Sequence, residues 1–140
     1  MAIQFFEEGI KFSLKEKIKH KRWLKTIAEN EGFKILELNY IFCTDEYLYQ
    51  INLDYLNHNT FTDIITFDNS EIKGHIEGDI FISIERVREN ADKIKGPIEL
   101  EILRVMSHGL LHLMGYNDKN KEDKKIMSDM EDNSILLFQE

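Results

Sequence analysis

A chain of 140 residues is long enough for one domain and too short for two ordinary ones, so a single domain over 1–140 is expected. No run of roughly 18 apolar residues occurs, which excludes a membrane-spanning helix, and a lone cysteine, Cys43, excludes an internal disulfide framework. The formal net charge of −8 argues against a uniformly basic binder of polyanions.

Charge distribution qualifies the last point. Lys11, Lys15, Lys17, Lys19, Lys21, Arg22 and Lys25 fall in one stretch, while Glu122, Asp123, Asp129, Glu131 and Asp132 crowd the C-terminal end. Such a basic run reads first as a solvated face and second as a local surface for a polyanion. The opening residues, MAIQFFEEGIKF, lack the basic start and long apolar stretch of a signal peptide, so a cytoplasmic location without membrane contact is expected.

In chain order, residues 2–6 (AIQFF) predict a short strand. Leu14, Ile18, Leu24, Ile27 and Ala28 recur near a helical period over residues 13–29, with Ser13 and Glu16 spaced as a capping box and Gly32 as the stop. Residues 32–44 alternate as a strand through Ile35, Leu36, Leu38, Tyr40 and Phe42. Thr44 or Asp45 then caps a helix running to about residue 55. Two β-type runs, 62–67 and 78–84, flank a polar connection, DNSEIKGHIE. An amphipathic helix spans 86–94, Pro97 sits at the first position of a helix over 98–114 that ends at Gly115, and a last helix spans about 121–138. The order β-α-β-α-β-β-α-α-α predicts an α+β or α/β domain on a small mixed sheet.

The helix over 98–114 carries the chemistry. Leu100, Leu103, Met106, Leu110, Leu111, Leu113 and Met114 make most of its surface core-facing, and His108 and His112 interrupt it. Four residues apart, the two imidazoles project from one face and can reach a single ion, as in the HExxH zinc helices. A third ligand has to come from beyond the helix. Gly115 permits the left-handed turn that folds the chain back, and Asp118 follows three residues later; Asn117 and Asp123 are weaker rivals. Three protein ligands leave zinc an open position, the arrangement of catalytic sites. Zinc proteases place a glutamate directly after the first histidine; Gly109 stands there, which disfavours a metalloprotease.

With HGLLHLMGYND in view, the chain resembles the YbeY family of endoribonucleases and ribosomal RNA maturation factors, whose signature is HGxLHLxGYDH. LDYLNHNTFTDIITFD at 53–68 and GDIFISIERVRENA at 78–91 are similar to two further family segments, LNxxYRxxDxPTDVLSFP and GDIxIxxxxxxxxA. The resemblance implies that residues 1–140 form one such domain, with a mixed four-stranded sheet flanked by helices. It also implies a zinc site, single-strand-specific cleavage of RNA in maturing the 3′ end of small-subunit ribosomal RNA, ribosome quality control, and the small ribosomal subunit as partner.

His108 and His112 take the first two ligand positions, and Asp118 falls where the family has a third histidine. An anionic third ligand leaves less positive charge on a zinc ion and opens the site to iron, manganese or nickel. His108, His112 and Asp118 are therefore both the metal and the catalytic candidates. Leu56 stands where the family carries an arginine thought to meet RNA phosphate; His58, two residues on, reads first as an ordinary loop histidine and second as a substitute cation. A rival reading, favoured by Leu56 and the negative charge, is a non-catalytic ribosome-assembly factor with a structural metal.

Overall fold

A computed structural model describes residues 2–140. Its elements are β1 (Ala2–Glu8), α1 (Lys17–Asn30), β2 (Lys34–Cys43), α2 (Asp45–Leu56), β3 (Ile64–Asp68), β4 (His75–Ser83), α3 (Ile84–Lys93), α4 (Ile98–Leu113) and α5 (Lys121–Gln139). The order of elements agrees with the sequence reading throughout. The four strands form one mixed sheet in the order β1-β2-β4-β3, with β1, β2 and β4 parallel and β3 antiparallel to β4.

Alternation along the strands divides the hydrophobic residues unequally between two faces. Ile3, Leu38, Tyr40, Phe42, Ile76, Ile80 and Ile82 join residues of α1, α4 and α5 in one large core. Cys43, Ile65 and the half-buried Phe67 and Phe81 form a small second cluster under Leu48 and Ile51 of α2. Burial pushes the Cys43 thiol up to about 12, helped by Asp45, Glu8 and Glu85, so Cys43 is an inert core group.

Four local expectations are corrected. Ser13 and Glu16 form no capping box, because Glu16 itself is the residue before α1, with φ 54° and no side-chain cap. Pro97 precedes α4 rather than opening it: its ψ of 142° is extended. Leu100 faces outward, and Ile102 and Val105 take core positions instead. β4 begins at His75, three residues ahead of the expected start at Gly78, since His75 and Ile76 already pair with Lys34 and Ile35. Gly78 lies inside the strand for want of room: a Cβ there would meet the Phe67 carbonyl oxygen at 2.8 Å and Leu113 Cδ1 at 2.9 Å.

The same economy of space applies on α4. A Cβ on Gly109 would stand 3.0 Å from Ile64 Cδ1 and from two atoms of Ile80, so this glycine lets the helix settle closely on β3 and β4. Tyr40 of β2 adds a buried tie by donating its hydroxyl to the Met106 carbonyl at 2.8 Å. Trp23 of α1 donates its indole N–H to the Ser134 carbonyl at 2.6 Å and anchors α5. These contacts fix α4 and α5 relative to the sheet, and the functional side chains sit on those two helices and on the turn that joins them.

Candidate metal centre

His108 and His112 lie one turn apart on α4, on the side that faces the β3 edge. Their rings stand edge to face with centroids 4.5 Å apart, and their Nε2 atoms approach to 3.0 Å. Asp118 Oδ2 lies 3.4 Å from His108 Nε2 and 3.5 Å from His112 Nε2. Among the described residues these three side chains form the group of His, Cys, Asp or Glu able to hold one metal ion, and the rivals Asn117 and Asp123 are outside the lining of the cleft around them.

The turn after α4 explains how Asp118 arrives. Gly115 has φ 101°, its N–H bonds the His112 carbonyl at 3.0 Å, and the Tyr116 N–H bonds the Leu111 carbonyl at 3.1 Å. That pair of bonds is a Schellman ending, which needs the left-handed residue glycine supplies most readily. It also turns the Tyr116 carbonyl back over the helix end, where it accepts a hydrogen bond from His112 Nδ1 at 2.9 Å. Tyr116 thus serves the site through its backbone, while its hydroxyl bonds Glu31 and packs the turn against the end of α1.

His108 is held from outside in a corresponding way. Its Nδ1 donates to Glu131 Oε2 of α5 at 2.6 Å, and Arg104 spans the remaining Glu131 oxygen (3.1 Å) and Asp132 (2.9 Å). With both Nδ1 atoms acting as donors, the neutral rings present Nε2 lone pairs to one another at 3.0 Å, beside a carboxylate oxygen. Only a proton or a cation between them relieves that repulsion. Ligand atoms each about 2.0–2.2 Å from a zinc ion stand roughly 3.3–3.6 Å apart in a tetrahedron, a spacing that both Asp118 separations match and that the two rings, at 3.0 Å, reach by a small outward shift. The donor set therefore fits a divalent transition metal, and the carboxylate and carbonyl behind the rings are the outer contacts that orient metal-bound histidines.

The electrostatics agree. Burial favours the neutral His108 ring, but the Glu131 hydrogen bond and the charges of Glu131, Asp118 and Asp63 outweigh it and raise the pKa above its ordinary 6.5. The groups that hold a proton on this ring favour a metal cation in its place. Around the three donors opens a cleft of about 420 Å³, walled by Thr62, Asp63 and Thr66 from the β3 edge and by Glu101 and Arg104 from α4. Burial raises the Glu101 carboxyl, with Arg104 opposing and Asp63 and Glu131 assisting, so Glu101 is biased toward keeping its proton.

All three sequence-derived ligand candidates come together. Asp63 reaches the cleft, whereas Asp79 stays on the sheet and accepts from Asn39 at 3.0 Å. Leu56 and His58 are exposed and outside the cleft lining, as is the basic stretch of α1, where Lys19 and Lys25 face Glu16 and Glu29. Glu131, Arg104 and Glu101 were missed. Glu131 follows His108 by 23 residues on another helix, amid other acidic residues, and no local pattern separates it from them.

A sequence profile of the family described as Endoribonuclease YbeY matches residues 3–139. A Cytophaga hutchinsonii protein named Endoribonuclease YbeY is 54% identical over 136 residues, covering 97% of this chain and 95% of the relative. Its namesake from Flavobacterium psychrophilum is 48% identical over 133 residues, covering 95% and 94%. In three dimensions the chain is similar to a Thermotoga maritima protein solved in solution, with a TM-score of 0.68, 24% identity and coverage of 97% of this chain and 88% of the other. At that identity the likeness speaks for the fold alone.

Proposed function

The chain belongs to the YbeY family of endoribonucleases, and from that premise we propose that it is a zinc-dependent, single-strand-specific enzyme of the cytoplasm. In this reading it matures the 3′ end of small-subunit ribosomal RNA, works on the small ribosomal subunit and contributes to ribosome quality control. The observation that carries the metal part is the convergence of His108 Nε2, His112 Nε2 and Asp118 Oδ2, with both Nδ1 atoms committed elsewhere.

Bound by these three residues, a divalent ion supplies Lewis acidity toward a phosphodiester oxygen. The chain supplies orientation. Glu131 and the Tyr116 carbonyl hold the two rings in the tautomer that turns Nε2 inward. Asp118 adds a negative charge that a third histidine would lack, which weakens the Lewis acid and admits manganese or iron more readily. Glu101, whose carboxyl is raised by burial against the opposing charge of Arg104, lines the same cleft. Thr62, Asp63 and Thr66 form the opposite wall, so the strand to be cut lies between β3 and α4.

The test is cleavage of a single-stranded transcript spanning the 3′ end of small-subunit ribosomal RNA, by protein loaded with zinc. His108→Ala and His112→Ala should each lose metal affinity by more than the roughly 10- to 100-fold typical of an outer-contact loss, and cleavage with it. Undiminished cutting by the double variant in chelated buffer would sink the proposal. Elemental analysis of protein purified without added metal, wild type beside Asp118→Ala, identifies the ion; equal occupancy in the variant would remove Asp118 from the site.

A further inference from the structure

The cleft presents a difficulty for a polyanionic substrate. Asp63, Glu101, Asp118 and Glu131 line it, and its one guanidinium, Arg104, is already engaged by Glu131 and Asp132. Leu56 offers no charge where the resemblance places an arginine. Phosphate attraction is therefore a poor source of affinity, and a single strand offers one other feature shared by all its nucleotides, the flat faces of its bases.

Immediately before the cleft wall at Thr62 and Asp63 stands Phe61, which remains 52% exposed. Tyr49 of α2 stacks on it with centroids 4.4 Å apart and planes at 29°. The Arg86 guanidinium, fixed by Asp45 at 2.9 Å, lies 5.6 Å from the Phe61 ring centre. The loop carrying Phe61 is tied down as well: buried Asn52 donates to the Thr60 carbonyl at 2.8 Å, and the Tyr49 hydroxyl bonds Asn59. A large exposed aromatic, stiffened by its neighbours and flanked by a cation, has the composition of a base-stacking platform.

We propose that Phe61, backed by Tyr49 and flanked by Arg86, is a nucleobase-stacking subsite for single-stranded RNA at the rim of the metal cleft. The subsite rests on the reading of single-stranded RNA as substrate. It holds a base flanking the scissile phosphate, while the phosphate itself enters the cleft beside Thr62 and Asp63. Affinity at this point comes from a ring face, so it tolerates any base.

The test uses the full chain loaded with zinc and a fluorescein-labelled 2′-O-methyl oligouridine of about twelve nucleotides, within the span such sites cover. Anisotropy should show Phe61→Ala binding roughly 5- to 100-fold more weakly than wild type, with unchanged far-UV circular dichroism and zinc content. Phe61→Trp should bind as wild type does, and its new indole, unlike buried Trp23, should be quenched by the oligonucleotide. A strand of the same length with abasic residues should bind weakly and no differently to wild type and Phe61→Ala. Unchanged affinity in Phe61→Ala, a Phe61→Trp variant as weak as Phe61→Ala, or equal binding of the abasic strand would each overturn the subsite. If wild type cleaves single-stranded RNA and Phe61→Ala binds and cleaves equally well, the subsite alone falls. If zinc-loaded wild type neither binds nor cleaves it, the substrate reading falls and takes the subsite with it.

Discussion

The two faces of the sheet are built to different standards. On one, α4 lies so close to β3 and β4 that a Cβ on Gly78 would overlap Leu113 and one on Gly109 would press on Ile64 and Ile80, and the core continues into α1 and α5. On the other, α2 covers a small cluster around Leu48, Ile51 and Ile65, and aromatic residues such as Tyr47 and Tyr55 stay exposed. The two imidazoles project from the first side, where packing holds α4 in place, and geometry for one ion demands that precision. The second side tolerates exposed rings because fewer of its residues are needed for stability.

Four experiments can break or sharpen that contrast, in descending order of effect. Leu110→Ala and Leu48→Ala remove equally buried side chains from opposite faces. The deep site of α4 cannot collapse, so Leu110→Ala should cost about 4–5 kcal/mol in urea unfolding, against about 3 kcal/mol for Leu48→Ala. Equal losses would show that the thin face is as rigid as the thick one. Next comes Gly109→Ala, whose methyl meets three side-chain carbons at 3.0 Å. It should destabilise by about 1–3 kcal/mol and, by lifting α4, weaken metal binding. A stable variant with wild-type affinity would separate helix seating from the site.

Glu131→Gln keeps the shape of the side chain but loses the charge behind His108. Zinc affinity should fall roughly 10- to 100-fold in a chelator competition, with little change in fold. Wild-type affinity would reduce Glu131 to a packing residue. The smallest effect is on pH. His108 has its folded pKa raised above 6.5, so in metal-free protein its ion pair contributes stability fully below that ordinary value and loses it as pH rises through the raised one. Zinc competes with the proton on Nε2 and should bind more tightly as pH rises through the same range. In Glu131→Gln both midpoints should move to lower pH, and coincident curves for wild type and variant would refute the account.

How much of this was legible beforehand follows from range along the chain. The helix ending at Gly115 and the pairing of His108 with His112 depend on spacings of four residues or fewer, and they stand as expected. Asp118 needed a turn in addition, and the Schellman ending provides it. Local signals misled where a residue type has two uses. Ser13 and Glu16 have the spacing of a capping box, yet the chain enters α1 through a left-handed Glu16. Gly78 reads as the first residue of its strand and is instead a point of close approach inside β4.

The sequence by itself determined the order of elements, the family, and the three side chains able to hold a metal, because each rests on short-range periodicity or on a compact motif. Tertiary structure alone decided what stands behind and around them. Glu131 meets His108 only because Trp23 and the shared core bring α5 across α4. The carboxylates of the cleft come together, and Phe61 meets Tyr49 and Arg86, through the packing of separate elements. Contacts between helices and strands depend on packing across the whole domain, and no spacing along the chain encodes them one at a time.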